Sequence, residues 1–142
     1  MVINFLIQKE RFQLKERTKL KKWISLVVQQ SNKRVGEIGY LFCDDNYLLG
    51  VNQSYLNHDT FTDIITFDYV VGDVVSGDIL ISVDRVKENA SLFHTSFHHE
   101  LLRVIIHGVL HLLGNGDKTD SEAANMRHLE DKAIALWDTV QL

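Results

Sequence analysis

Two histidines four residues apart, followed after a glycine by an aspartate, constrain this chain more than any other feature: the run His107-Gly108-Val109-Leu110-His111-Leu112-Leu113-Gly114-Asn115-Gly116-Asp117. An interval of four is close to one helical turn, so both imidazoles leave one face of a helix, about 6 Å apart along its axis. The segment is therefore expected to be helical, with Leu110, Leu112 and Leu113 buried away from the histidines. Gly114 accepts left-handed geometry, which ends the helix and turns the chain so that Asp117 returns toward the two rings.

The spacing H-x-x-x-H-x-x-G-x-x-D matches the long metzincin zinc motif, H-E-x-x-H-x-x-G-x-x-H, with Asp in the third ligand position. Asp is an acceptable ligand for zinc. His107, His111 and Asp117 are thus the candidate ligands of one Zn2+ per chain, or of another divalent transition ion. Three protein ligands leave a position for water, whose pKa falls toward ~7 on the ion, so a hydrolytic site is expected. Gly108 stands where zinc peptidases carry their Glu general base, which turns the chemistry away from standard peptide hydrolysis. One and two turns upstream on nearly the same face lie Arg103 and Glu100. The guanidinium suits a phosphate oxygen on which charge develops, and the carboxylate suits orienting a ligand His or acting as base. The plainer alternative for each is an exposed or salt-bridged helix residue.

A length of 142 residues suits a single domain spanning 1–142, and 45% hydrophobic with 24% charged residues excludes disordered and fibrous classes. Cys43 is the sole cysteine, so neither an internal disulfide nor a cysteine metal site is expected. No apolar run approaches the ~18 residues of a membrane span, and the start lacks a secretory pattern; a cytoplasmic protein with no membrane partner is expected. The net charge of −4 conceals an asymmetry, because residues 1–34 hold nine of the fifteen Lys/Arg but only two of the nineteen acids. Such a segment presents either a basic face to a polyanion or an ordinary solvated helix surface.

Periodicity supplies the elements. Val2 and Phe5 begin a short strand, and Leu20, Trp23, Ile24, Val27 and Val28 repeat as one helical stripe that Ser31–Arg34 ends. A strand follows over Val35–Cys43, then a helix from Asp44 or Asp45 to about Asn57, capped by one of those aspartates. Two β-branched and aromatic runs, Ile64–Val71 and Val74–Val83, read as strands joined by a turn. Helices are expected over Asp84–Phe93 with Asp84 as cap, over Ser96–Leu113, and over Asp120–Asp138. The sum is an α+β fold, one compact domain with a mixed sheet of about four strands and about five helices. Trp23 and Trp137 belong to its core, and His58, His94, His98, His99 and His128 read as surface or satisfied side chains, although His99 beside Glu100 is placed to reach the cleft.

Several separated motifs, in order over most of the chain, resemble those of the YbeY endoribonucleases. The run His107–Gly114 resembles H-G-x-L-H-L-x-G, Ser76-Gly77-Asp78-Ile79 resembles a G-D-I strand, Thr62–Phe67 resembles T-D-V-L-S-F, and Met126 with Glu130 resembles a C-terminal M-x-x-x-E. The resemblance implies a single-strand-specific, metal-dependent endoribonuclease. Its expected role is in maturing the 3′ end of 16S ribosomal RNA and in ribosome quality control, with ribosomal RNA and the small subunit or its proteins as partners. Within these motifs Thr62, Asp63 and Asp78 are candidate substrate-binding residues, against a plainer reading of the two aspartates as turn or strand-end residues. Three departures stand out. Asp117 replaces the family's usual His, Leu56 falls where the family carries an Arg, and His58 and Phe61 replace its Lys and Pro. An anionic third ligand lowers the ion's net charge and so acidifies its water less. Two other readings compete with the nuclease: a ribosome-assembly binding module with a structural metal, and a metzincin-like peptidase with an unusual base.

Overall fold

Alternation along the strands decides which face of the sheet is covered. In the computed structural model, which describes residues 1–142, strand β1 (Val2–Ile7) buries Ile3 and Phe5 and leaves Val2 and Leu6 exposed. The same alternation buries Ile38, Tyr40 and Phe42 of β2 (Arg34–Cys43) and Ile79 and Ile81 of β4 (Val74–Ser82). Register aligns these inward residues into rows, with Phe5 opposite Tyr40 and Tyr40 opposite Ile79. The strand order is β1-β2-β4-β3, parallel from β1 to β4, with β3 (Ile64–Asp68) antiparallel to β4 at the edge. This is the expected four-stranded mixed sheet, and five helices complete the α+β fold.

Helices α1 (Arg17–Gln30), α4 (Phe97–Leu112) and α5 (Asp120–Trp137) cover the inward face, and their apolar stripes join the strands in one cluster. Polar atoms entering that core are paired: the Tyr40 hydroxyl donates to the Ile105 carbonyl at 2.9 Å, and the Trp23 indole N–H donates to that of Ala133 at 2.7 Å. These two bonds fix α4 to the sheet and α1 to α5. Helix α2 (Asp45–Leu56) covers only part of the other face, where Leu48 packs with Cys43 and Ile65. Helix α3 (Val83–Leu92) packs beside α4.

Two expected boundaries are corrected. Ser82, not Asp84, caps α3, its hydroxyl accepting the Arg85 N–H at 3.2 Å; Asp84 instead accepts the Asp45 N–H and pairs with Lys9. The regular ladder of β3 stops at Asp68 rather than Val71, because the Asp68 side chain takes the Val70 N–H, and an isolated bridge between Val71 and Val74 closes the hairpin. Helix α5 begins at Asp120 as expected, and its cap is a reciprocal box between Thr119 and Glu122. No helix is long and apolar enough to cross a membrane.

Candidate metal centre

The histidine pair lies on the last two turns of α4, the most apolar helix, which buries Val104, Ile105, Ile106, Val109 and Leu110 and so fixes the phase of the opposite face. Leu113 caps the helix, Gly114 follows at φ 97°, and the N–H groups of Gly114 and Asn115 return to the carbonyls of His111 and Leu110 at 2.9 and 3.1 Å. That is a Schellman stop, and the Asn115 amide reinforces it by donating to the same Leu110 carbonyl. It turns the chain back as the glycine implied and brings Asp117 beside both rings. The Asp117 Oδ2 atom lies 3.3 Å from His107 Nε2 and 3.6 Å from His111 Nε2, and the three ligand atoms all lie within 4.8 Å of one another.

The two separations from Asp117 suit an ion. Ligands bonded at about 2.0–2.1 Å to a tetrahedral centre lie about 3.3–3.4 Å apart. The hydrogen bonding suits one too. His107 Nδ1 lies 2.7 Å from Glu130 Oε2, so the ring donates its Nδ1 proton there and directs the Nε2 lone pair at Asp117. A lone pair aimed at a carboxylate oxygen is stable only with a cation or a proton between them. Burial alone would lower the His107 pKa, but the Glu130 hydrogen bond and the charges of Glu130, Asp117 and Asp63 raise it above the usual imidazole value. The cluster also sits at the C-terminal end of α4, where the helix dipole favours positive charge. Its two nitrogens and one oxygen can hold a divalent transition ion.

Glu130, rather than Glu100, orients the ligand histidine. Its carboxylate is nearly fully buried and uses both oxygens, one on His107 and the other on Arg103 Nη1 at 2.8 Å. Arg103 also meets Asp131 at 3.0 Å and Glu100 at 3.8 Å, so the guanidinium expected to contact phosphate is held by three acids instead. Glu100 is buried beside it, and loss of water raises its carboxyl pKa despite the Arg103 charge. His99 turns to Arg103 rather than into the cleft.

The three ligands open onto a cleft of about 910 Å³ between the α2–β3 loop and α5. Thr62 and Asp63, two of the candidate substrate-binding residues, line it. Asp63 accepts from Asn89 Nδ2 at 3.3 Å, and burial raises its carboxyl pKa, a shift that His107 opposes. Asp78 does not reach the cleft; it projects from β4 into a separate groove on the other face with Tyr47, Tyr55 and Phe67. None of the nine basic residues of the first 34 lines the cleft either. Of the four on α1, Lys19 lies 4.2 Å over the Trp137 ring and Lys22 bonds the Gln141 carbonyl, so these two side chains are engaged within the chain. The cations that do line the cleft and make no ion pair are Lys118 and Arg127, which the spacing argument missed because neither lies on α4.

Gly108, which follows the first ligand histidine, faces the sheet. A Cβ there would lie 2.9 Å from two carbons of Ile79 and 3.1 Å from Ile64, so the helix lies directly on the sheet at this position. A side chain at the position of the peptidase glutamate would therefore force Ile79, Ile64 or the helix itself to shift.

Comparison with known proteins agrees with this geometry. The sequence profile of the family described as Endoribonuclease YbeY matches residues 4–138. The chain is 52% identical over 130 residues to the Endoribonuclease YbeY of Flavobacterium psychrophilum, covering 92% of this chain and 93% of that protein. It is 49% identical over 140 residues to that of Flavobacterium johnsoniae, covering 99% and 100%. Among solved structures it is similar to the solution structure of TM1509 from Thermotoga maritima, with a TM-score of 0.66, 25% identity, and coverage of 98% of this chain and 93% of that one.

Proposed function

The chain belongs to the YbeY endoribonuclease family, and on that premise we propose that it hydrolyses phosphodiester bonds in single-stranded RNA with Zn2+ on His107, His111 and Asp117. The observation that carries the reading is the convergence of two imidazole nitrogens and a carboxylate oxygen at the mouth of a cleft with free cations on its wall. Bound there, the ion would supply Lewis acidity and a water of lowered pKa. The chain's own residues do the rest. Glu130 fixes the His107 tautomer and ring, and Arg103 holds Glu130 in place. Lys118 and Arg127 take the phosphates that Arg103, tied to three acids, does not. Asp63, half-buried in the cleft wall with its pKa raised by loss of water, is the group suited to accept and return a proton.

The family supports a finer reading: a cytoplasmic enzyme acting on ribosomal RNA, at the 3′ end of the small-subunit 16S species and in ribosome quality control, with the small subunit or its proteins as partners. The crowded position at Gly108 weighs against a peptidase. Purified wild type and His107→Ala, with metal content measured, are to be compared on labelled single-stranded RNA, duplex RNA, casein and small-subunit particles carrying unprocessed 3′ ends. The expected result is metal-dependent cleavage of the single strand and the particle RNA by the wild type alone. Equal cleavage by the variant would refute the nuclease reading, and binding of particles without cleavage would favour an assembly module.

A further inference from the structure

Two phenylalanines stand unburied on the wall of the same cleft, Phe61 at 51% exposure in the α2–β3 loop and Phe93 at 57% at the end of α3. Single exposed apolar side chains are common on protein surfaces, but these two aromatic rings line the same cleft as the ligand cluster. The loop that carries Phe61 is pinned rather than loose. The buried Asn52 side chain donates to the Thr60 carbonyl at 2.8 Å, the His58 N–H donates to the Asn52 carbonyl at 3.1 Å, and the Ser82 N–H donates to the Asp63 carbonyl at 2.9 Å. One face of the Phe61 ring is backed by the Arg85 guanidinium, 5.4 Å from the ring centre, which Asp45 holds through contacts of 2.9–3.1 Å. Between the two rings in sequence, Asn89 also lines the cleft and ties α3 to the loop through Asp63.

We propose that Phe61 and Phe93 form a stacking subsite for one nucleobase of the RNA strand, next to the phosphate at the metal centre. The inference rests on the reading of the cleft as an RNA site and adds a reason for single-strand preference. A base can lie on an aromatic face only when it is free of its duplex partner. Stacking is tolerant of sequence because every base offers a π-face, and the Asn89 amide is the nearby group able to bias the choice of base. Phe61 stands where the family's usual residue is proline, so the shared motif itself does not supply this ring.

The test is an abasic scan: single-stranded oligoribonucleotides, each with one nucleobase deleted, cleaved by zinc-loaded wild type, Phe61→Ala and Phe93→Ala of matched melting temperature. One deletion at a fixed position relative to the cut is expected to raise KM roughly tenfold for the wild type. Each variant should lose a similar factor on the intact oligonucleotide and be indifferent to that deletion. Uniform tolerance of every deletion by the wild type, or unchanged sensitivity in both variants, would overturn the subsite. Binding of a 2-aminopurine oligoribonucleotide to the full chain provides a readout independent of cleavage. Quenching by wild type that is lost in both variants supports stacking even if no RNA is cut, whereas quenching retained in both defeats it. Failure of wild type to cleave any oligonucleotide would sink the nuclease reading alone.

Discussion

Glu130 shares one buried stripe of α5 with Met126, Ala133 and Trp137, and a charge in that company is tolerated only because both carboxylate oxygens are occupied. Because it fixes the His107 ring, Glu130→Gln should weaken zinc binding by about 10–100-fold. A competition titration against a chromophoric chelator checks this, and a change below twofold would remove Glu130 from the centre. Glu100 behaves differently: its pKa is raised by burial, so its ionisation opposes folding. The contribution of a group so shifted is most favourable below its unfolded pKa and is lost as pH rises through the folded one. Glu100→Gln should therefore raise the melting temperature at pH 7, with the advantage disappearing as pH falls toward 4, followed by thermal unfolding across that range. The three candidate ligands were legible in sequence because their spacing is local to one helix and its stop. Glu130 was visible only as a motif without a role, since its partner lies 23 residues away and is chosen by packing. Arg103 looked available for phosphate because its acidic partners Glu130 and Asp131 come from another helix.

At the scale of elements, the approach of α4 to the sheet sets the position of the histidines. Gly108→Ala should push the helix off Ile79 and Ile64 and cost roughly 1–3 kcal/mol in denaturant unfolding, with metal affinity falling in parallel. Stability unchanged by the substitution would mean that the helix does not depend on this contact. Element types and order were legible because long stripes and alternating strands carry strong periodicity. The α3 boundary was misplaced because two short polar side chains compete for it. Ser82 and Asp84 both suit a helix cap, and the choice went to Ser82 because Asp84 is engaged by the Asp45 N–H and Lys9. Asp78 was misassigned for a different reason. Strand parity determines its face, and only the register of β4 against β2 and β3 shows that this face is turned from the cleft.

For the whole molecule, charge distribution in sequence proved a poor guide to charge distribution in space. The basic first 34 residues lie away from the cleft, and the two free cations on its wall come from the acidic remainder of the chain. Lys118→Ala and Arg127→Ala should each raise KM for single-stranded RNA and flatten its salt dependence, the log–log slope falling by roughly 0.7 per lost contact. Reversing Lys19 and Lys21 should leave both unchanged, as cleavage assays from low to moderate salt would show. The central claim, that His107, His111 and Asp117 hold the ion on which RNA cleavage depends, is tested most directly by titrating zinc into metal-free wild type and His111→Ala. Bound zinc and the rate of single-stranded RNA cleavage are measured in the same samples. In the wild type the rate should rise in proportion to occupancy up to one ion per chain, while His111→Ala should neither retain the ion nor cleave. Cleavage by the metal-free protein, or by His111→Ala at the wild-type rate, would contradict it.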